Sequence, residues 1–180
     1  MKDQVLSLLA RLESALGPRI LELSAAAHWG THHFIRQLER IRAFEPRVVL
    51  EIGTHFGVGA ALLRLVAPRV ITLDVVGLPA VREVLEIAQA TDVVPLAVAD
   101  DREKQILVEA LAFDLAFLDG DHDREAVELD FALTRKCGRV LFHDYEEIPN
   151  TACPGVRDAV DALREGTVLR DQPFAWWQAR

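Results

Sequence analysis

The sequence predicts an α/β fold, in which helices cover both faces of a doubly wound and mostly parallel sheet. From Arg47 onwards, short apolar runs rich in β-branched residues alternate with amphipathic helical patterns. Continuous apolar strands are typical of a parallel sheet buried on both faces, and their alternation with helices predicts right-handed crossovers. The last two apolar runs are separated only by Asp171, Gln172 and Pro173. Because this link is too short for a crossover helix, it predicts an antiparallel final pair.

The first 45 residues are predicted to be helical. The first helix has an apolar stripe that consists of Val5, Leu8, Leu9, Leu12 and Leu16. A second helix begins at Thr31 and ends before Pro46. We therefore expect residues 1–45 to form an N-terminal helical cap on a core of residues 46–180, so that residues 1–180 make a single domain.

The core pattern predicts seven strands joined by helices. The strands are predicted at 48–52, 70–75, 93–98, 113–119, 139–144, 167–171 and 174–178. The helical patterns lie at 58–66, 79–90, 102–112 and 123–136. A further helix has Pro154 in its first turn, where proline is tolerated because the missing N–H has no partner there anyway.

Composition and charge exclude several classes of function. The 180 residues are 51% hydrophobic and 27% charged, which is the balance of a folded globular domain. A net charge of −8 argues against a nucleic-acid backbone or an anionic membrane surface as the main partner, since both need a basic face. The sequence offers neither a membrane-spanning apolar run nor a signal-peptide cleavage pattern, so we expect a cytoplasmic protein.

A glycine-rich loop follows the first predicted strand and is the first candidate for ligand binding. It reads Glu51-Ile-Gly-Thr-His-Phe-Gly-Val-Gly, with glycines at positions 53, 57 and 59. Gly53 permits a tight exit from the strand, and Gly57 and Gly59 permit close approach of the backbone to a ligand. The spacing differs from the G-x-G-x-x-G of dinucleotide-binding folds and from the phosphate loop with its Lys and Ser or Thr.

Acidic residues follow the next two strands. Asp74 closes the second predicted strand, where a carboxylate can accept hydrogen bonds from both hydroxyls of a ribose, and Asp100 follows the third. Ligands of doubly wound sheets bind at the carboxyl ends of the strands. The alternative is a tight turn with solvated acids, which the occurrence of the loop, Asp74 and Asp100 on three successive strands disfavours.

Carboxylates and imidazoles follow the fourth and fifth strands. Asp119 and His122 come after the fourth, and His143 and Asp144 come after the fifth. Mg²⁺ commonly takes one or two carboxylates plus waters and substrate oxygens, so Asp119 and Asp144 meet this minimum, with His143 as a third ligand. His122 is a candidate general base, because an imidazole pKa of about 6.5 suits proton transfer at neutral pH. The alternative left open is that Asp119 and Asp121 only cap the following helix.

With these motifs the sequence resembles the class I S-adenosylmethionine-dependent methyltransferases, which have a Rossmann-like seven-stranded sheet with an antiparallel last strand. The resemblance covers Arg47 to the C-terminus, about three-quarters of the chain. In that family the E-x-G-x-x-x-G-x-G loop packs against the cofactor, the acid ending the second strand holds its ribose, and a G-D-S-like segment, loosely matched by Ala99-Asp100-Asp101, flanks its adenine. The resemblance implies S-adenosylmethionine as the cofactor of core 46–180, bound by Glu51, Gly53, Gly57, Gly59, Asp74, Asp100 and Asp119.

Within this class, the D-G-x-H and His-Asp segments are similar to those of the metal-dependent O-methyltransferases of macrolide sugars and their cephalosporin-hydroxylase-like relatives. In that group the first Asp and an adjacent Glu-Asp pair bind Mg²⁺, and the His is a suggested base. The resemblance implies Asp119 and Asp144 as ligands of Mg²⁺ or Mn²⁺ and His122 as the base. His143 stands where the group commonly has Glu.

The function implied by the resemblance is metal-assisted methyl transfer to a hydroxyl of a small molecule, with neither nucleic acid nor membrane as a partner. Because no large insertion interrupts the core, we expect an acceptor pocket that is open or completed by a second copy in a homo-oligomer. Two alternatives stay open: a metal-independent methyltransferase in which the Asp and His cluster orders loops, and a non-catalytic S-adenosylmethionine-binding partner subunit.

Overall fold

A computed structural model describes residues 1–17, 31–75, 79–145 and 153–180, and its strands form one sheet. The strands are β1 Val48–Ile52, β2 Arg69–Asp74, β3 Val93–Ala97, β4 Leu115–Leu118, β5 Arg139–Phe142, β6 Thr167–Asp171 and β7 Phe174–Gln178. Their order in the sheet is β3-β2-β1-β4-β5-β7-β6. Strands β1 to β5 are parallel, and β7 pairs antiparallel with both β5 and β6. The predicted doubly wound α/β fold with its antiparallel final pair is confirmed.

Helices precede the sheet and connect its strands. They are α1 Lys2–Leu16, α2 Thr31–Ala43, α3 Val58–Leu63, α4 Pro79–Ala88, α5 Asp101–Ala110, α6 Arg124–Thr134 and α7 Pro154–Ala162, with a short 3₁₀ turn at Arg135–Cys137. Among the described helices, none is both long and apolar enough to cross a membrane.

The fourth and fifth strands end earlier than the sequence predicted. They end at Leu118 and Phe142, whereas the sequence predicts strands that extend to 119 and 144. The difference has a physical reason, because ionisable side chains are costly inside a sheet that is buried on both faces. Asp119, His143 and Asp144 therefore lie just beyond the sheet, where their side chains can contact one another.

The strand order reverses between β1 and β4, and this switch point positions the candidate site. The chain runs from β1 outward through β2 and β3, and then crosses to β4 and β5 on the other side. Backbone hydrogen bonds continue across the strand exits, since the Asp119 N–H donates to the Ile52 carbonyl at 2.8 Å and the His143 N–H to the Leu118 carbonyl at 3.0 Å. Ligands of such folds bind in the crevice at this edge.

Apolar cores cover the sheet on both faces. Buried side chains of α1, α2, α3 and α4 share one core with β1 and β7, whereas α5, α6 and α7 contribute to the other or pack against it. In α1, Val5, Leu8 and Leu12 are buried in the first core, and this helix packs against α4. The part of the predicted cap at 18–30 lies outside the described residues.

One edge of the sheet is formed by β3, which carries Pro95 at its centre. The Val98 N–H donates to the Asp74 carbonyl at 2.9 Å, and backbone groups alternate in direction along a strand, so Pro95 faces away from β2. On the same outer side the Val93 N–H donates to the Ala90 carbonyl at 3.2 Å. Two outward positions of this edge therefore have no N–H to offer to another strand.

Candidate functional site

The glycine loop after β1 is closely packed against other parts of the protein. Gly53 has a φ of 100°, and a Cβ at this position would collide with the carbonyl of Asp119 at the exit of β4. A Cβ at Gly59 would collide with the carboxyl of Glu51. Gly57, with a φ of 85°, immediately precedes α3. Glycine at 53 is thus required by the packing of the backbone itself, whereas a side chain at 59 would have to displace the carboxyl of Glu51.

Glu51 lies underneath this loop and is 1% exposed. Its Oε2 accepts a hydrogen bond of 2.5 Å from the Thr72 hydroxyl, which is 2.6 Å from the Thr54 hydroxyl. Burial raises the pKa of the Glu51 carboxyl well above its usual range, although the bond from Thr72 acts in the opposite direction. Glu51 therefore supports the loop from below, with a side chain that favours its neutral form.

Asp74 lies beside the glycine loop at the end of β2. Its Oδ2 accepts the His55 N–H at 2.7 Å, which ties the strand end to the loop. Val75, the next residue, is 71% exposed, so an apolar side chain stands uncovered at this edge. A carboxylate next to an exposed apolar surface suits a nucleoside, whose ribose is polar and whose base is flat and largely apolar.

Asp100 has a local structural role at the next strand exit. It is the N-cap of α5, and its Oδ1 accepts the Glu103 N–H at 2.8 Å. The Glu103 carboxylate in turn accepts the N–H of Ala99, the residue before the N-cap, at 2.7 Å, so the two side chains together fix the start of the helix. The structure thus places Asp100 at the predicted edge, with part of its hydrogen-bonding capacity used by the helix.

The acids and imidazoles that follow β4 and β5 converge in one cluster. His143 Nδ1 lies 2.8 Å from Asp119 Oδ1 and 3.0 Å from Asp144 Oδ2. His122 Nε2 lies 3.0 Å from the same Asp144 oxygen and 3.9 Å from Asp119 Oδ1. The structure therefore brings together all four residues that the sequence singled out, with two carboxylates facing two imidazoles.

These neighbours shift one another's pKa values. The carboxylates of Asp119 and Asp144 raise the pKa of His122 to about 9. Burial alone would lower the pKa of His143, but the same carboxylates outweigh it and raise the pKa to about 10. Burial would raise the pKa of both aspartates, yet the imidazoles lower both. A general base needs a neutral imidazole, so His122 can accept a proton at neutral pH only where the carboxylate charge is offset.

Neither aspartate of the helix-capping alternative is the N-cap of α6, which is Asp123 and makes no side-chain cap hydrogen bond. Asp121 Oδ1 accepts the Asp123 N–H at 3.0 Å in the turn that leads into α6. The carboxylate of Asp119 faces His143 and His122 instead. Asp121 thus stabilises the turn before the helix, and Asp119 belongs to the cluster.

Aromatic rings enclose the inner side of the cluster. His143 is 3% exposed, and its ring centroid lies 4.8 Å from that of Phe174. Phe34 of α2 packs edge-on against Phe174 at 6.0 Å and against Phe117 at 6.1 Å. The N-terminal cap thus reaches the back of the cluster through its second helix.

Cys153 is a further candidate that sequence reasoning did not single out. It is the N-cap of α7, and its Sγ, a nitrogen of His122 and an oxygen of Asp144 all lie within 4.8 Å of one another. Donor atoms of Asp119, His143 and Asp144 likewise all lie within 4.8 Å of one another. These oxygen, nitrogen and sulfur donors fit a divalent cation. In the sequence, the only signal for Cys153 is its position directly before the proline that opens α7.

The chain matches a family described as a methyltransferase domain over residues 50–145, more than half of its length. The match begins within β1 and ends just after Asp144, so it includes the glycine loop and the cluster. A search of curated protein sequences finds no match.

Solved structures share this fold. The O-methyltransferase from Bacillus cereus, solved with S-adenosylhomocysteine, is 21% identical, covers 99% of this chain and 91% of its own, and has a TM-score of 0.67. The O-methyltransferase TomG from Streptomyces achromogenes, involved in tomaymycin synthesis and solved with S-adenosylmethionine, is 18% identical, with coverages of 96% and 89% and a TM-score of 0.69. CalS11, a TDP-rhamnose 3′-O-methyltransferase of calicheamicin biosynthesis, is 17% identical, with coverages of 98% and 93% and a TM-score of 0.62.

Proposed function

Since the chain belongs to the family of methyltransferase domains, we propose that it transfers the methyl group of S-adenosylmethionine to a hydroxyl of a small molecule, assisted by a divalent cation. One observation carries this proposal. The glycine loop and the Asp and His cluster meet at one edge of the sheet, where Gly53 packs against the backbone of Asp119. A methyl donor bound along the loop would therefore lie beside the groups that hold the acceptor.

The donor is proposed to bind along the exits of β1, β2 and β3. The Asp74 carboxylate accepts hydrogen bonds from the ribose hydroxyls, and the exposed side chain of Val75 packs against the adenine. Two of the structures that share the fold, from Bacillus cereus and Streptomyces achromogenes, hold S-adenosylhomocysteine and S-adenosylmethionine respectively. Glu51 contributes from beneath, by fixing the loop through Thr72.

In the proposed reaction the acceptor oxygen attacks the sulfonium methyl carbon. The C–O bond forms as the C–S bond breaks, S-adenosylhomocysteine leaves, and the hydroxyl proton passes to His122. Asp119, His143 and Asp144 would hold the cation, for which the resemblance implies Mg²⁺ or Mn²⁺; when bound, it lowers the pKa of the acceptor hydroxyl and orients its oxygen. Positive charge at these carboxylates also offsets the effect that raises the pKa of His122 to about 9.

A small-molecule acceptor is favoured over a nucleic acid. The net charge of −8 is unfavourable for a phosphate backbone. Two enzymes that share the fold act in tomaymycin synthesis and calicheamicin biosynthesis, the second on the sugar of TDP-rhamnose. We therefore propose a hydroxylated small molecule, a sugar hydroxyl included, as the acceptor class.

Calorimetry with S-adenosylhomocysteine tests the cofactor part of this proposal. The wild-type chain should bind it, and Asp74→Ala should weaken binding by about 1–3 kcal/mol, as expected for lost hydrogen bonds to a carboxylate. Asp92→Ala is the control, because Asp92 is an exposed acid that precedes β3 and therefore lies at the opposite end of the strands from Asp74. Binding of NADH without binding of S-adenosylhomocysteine would contradict the proposal.

The acceptor part is tested by transfer of labelled methyl from S-adenosylmethionine. Hydroxylated small molecules, including nucleotide sugars, should become labelled, whereas structured RNA should not. Labelling of RNA alone would overturn the small-molecule proposal and leave the cofactor assignment intact.

A further inference from the structure

Cys153 brings a sulfur atom to a site that the resemblance describes as an oxygen-rich magnesium site. Its Sγ lies within 4.8 Å of donor atoms of both His122 and Asp144. The helix that it opens, α7, packs on α6, so this position is fixed by the same core that supports the exit of β4. A thiol is therefore held next to the carboxylate that the proposed cation would use.

The two groups of donors have Asp144 in common. On one side, Asp119 and His143 contribute an oxygen and a nitrogen that lie 2.8 Å apart. On the other side, Cys153 and His122 contribute a sulfur and a nitrogen. A cation bound at Asp144 would thus have oxygen, nitrogen and sulfur donors within reach.

A site with this mixture of donors is not expected to prefer Mg²⁺. Mg²⁺ is a hard ion that takes oxygen ligands and keeps several waters, whereas imidazole and thiolate ligands favour Zn²⁺, Co²⁺ and similar ions. We infer that the cation of the proposed methyltransferase site is a borderline transition-metal ion of the Zn²⁺ or Co²⁺ class, with Cys153 as a ligand beside Asp144. The inference rests on the proposed cation site. Binding takes the thiol proton away to the solvent, since thiolate is the ligating form.

Cobalt spectroscopy on the full chain tests the sulfur ligand directly, without any measurement of activity. The apoprotein, saturated with S-adenosylhomocysteine, is titrated with Co²⁺ and its absorption recorded. The wild-type chain should show a thiolate-to-cobalt charge-transfer band in the near ultraviolet, which stoichiometric Zn²⁺ removes and excess Mg²⁺ does not. Tight binding of Zn²⁺ alone would not suffice, because most mixed sites prefer Zn²⁺ to Mg²⁺.

Two serine variants separate Cys153 from the other cysteine. Cys137 lies at the opposite end of β5, where its Sγ contacts the Arg139 carbonyl at 3.0 Å, so Cys137→Ser should keep the band. Cys153→Ser should abolish the band and weaken Zn²⁺ binding by at least about tenfold, since loss of even an outer-shell partner costs that much. Serine is a favourable N-cap residue, so α7 should remain intact in Cys153→Ser.

The outcomes separate this inference from the proposed function. Co²⁺ bound with no sulfur band, or a band that persists in Cys153→Ser, overturns the role of Cys153 while the cation proposal stands. A chain that binds S-adenosylhomocysteine but no Co²⁺ or Zn²⁺ overturns the inference and leaves the cofactor assignment intact. A chain that binds the metal but not S-adenosylhomocysteine contradicts the proposed function and leaves the metal site standing.

Discussion

Asp144 holds its carboxylate in the cluster through a left-handed backbone conformation, with a φ of 54°. Aspartate and asparagine adopt this conformation more readily than most residues, because their short polar side chains can bond locally. Asn is therefore the substitution that removes the charge of Asp144 and keeps its backbone. Bulky residues at 144 would change the charge and the backbone conformation together, so they would not isolate the effect of the charge.

At Glu51, replacement by Gln should make stability less dependent on pH. A carboxyl whose pKa is raised by folding contributes stability below its unfolded pKa and loses it as the pH rises through the folded value. Glu51→Gln keeps the acceptor for Thr72 without a titratable group. The variant should therefore gain stability relative to the wild type as the pH rises from about 5 to about 8 in urea unfolding.

The exposed acid Glu83 of α4 provides the matched control for this measurement. Glu83→Gln should show nearly the same pH dependence as the wild type, because this side chain is solvated in both states. A constant difference between Glu51→Gln and the wild type over this range would show that Glu51 is charged in the folded protein.

For His122, we expect the alanine variant to lose catalysis and keep binding. His122→Ala removes the proposed proton acceptor, so turnover should fall about 10²–10⁴-fold. Affinity for S-adenosylhomocysteine should stay unchanged in calorimetry, because His122 contacts the acids of the cluster. Unaltered turnover would mean that the acceptor loses its proton without this imidazole.

Individual site residues were predictable where chemistry and strand ends coincide. Asp119, His143 and Asp144 follow apolar strands directly, and their convergence follows from the parallel sheet. The glycine-loop motif predicts Glu51 as a cofactor-binding residue. It does not predict that Glu51 bonds to Thr72, which lies on the neighbouring strand. Cys153 could not be found in this way, because its proximity to Asp144 depends on how α7 packs on the sheet.

At the scale of elements, α2 is fixed to the final hairpin by buried polar contacts. Gln37 Oε1 accepts the Trp176 Nε1–H at 2.6 Å, and its Nε2 donates to Asp171 Oδ2 at 3.0 Å. Gln37→Ala should cost about 1–3 kcal/mol in urea unfolding, because it leaves the indole N–H of the buried Trp176 without this partner. A loss below about 0.5 kcal/mol would show that water replaces the side chain at no cost.

Arg36→Ala is the matched control on the same helix. Arg36 pairs with Asp171 at 2.8 Å, but its side chain is 48% exposed. Exposed ion pairs contribute about 0–1 kcal/mol, so the control should unfold close to the wild type. If Arg36→Ala lost more stability than Gln37→Ala, the ion pair with Asp171 would be the main contact that attaches α2 to the hairpin.

Apolar periodicity predicts where the strands and helices lie, but it does not predict which side chains of different elements contact one another. The strand predicted at 48–52 has these bounds in the structure, and α2 begins at Thr31 as expected. The contact between Gln37 and Trp176 joins residues 139 positions apart. A local pattern carries no signal for such a pair, since it records only which face of each element is apolar.

At the scale of the whole molecule, removal of divalent cations should separate binding from catalysis. A chelator should abolish methyl transfer, and S-adenosylhomocysteine should still bind in calorimetry, because the glycine loop and Asp74 are distinct from the cluster. Asp144→Asn should behave like the chelated wild type. Equal turnover in excess EDTA would contradict the cation proposal and favour a cluster that only orders loops.

His143→Glu provides the complementary variant for that experiment. It introduces the residue type that is common at this position in the metal-dependent O-methyltransferases that the sequence resembles, and it replaces a nitrogen donor by oxygen. Activity should persist, and the cation preference should shift towards Mg²⁺. Loss of all activity in the presence of Mg²⁺ would show that the imidazole itself is needed.

The overall architecture was predictable because it depends on many residues at once. Alternating strands and helices predicted the doubly wound sheet, and the short link at 171–173 predicted the antiparallel end. The match over residues 50–145 then shows the family. The acceptor, in contrast, is selected by a few individual side chains, for which apolar periodicity carries no signal.

Pro95 also affects how the molecule behaves at high concentration. An unprotected edge strand can recruit the edge of another copy and start a growing intermolecular sheet. Here β3 presents Pro95 and the locally bonded Val93 on its outer side, so a docking strand would lose hydrogen bonds at both positions. The edge formed by β3 is therefore protected against this kind of aggregation by its backbone. A second copy that associates with this protein would do so more favourably through helical surfaces than by extending the sheet past β3.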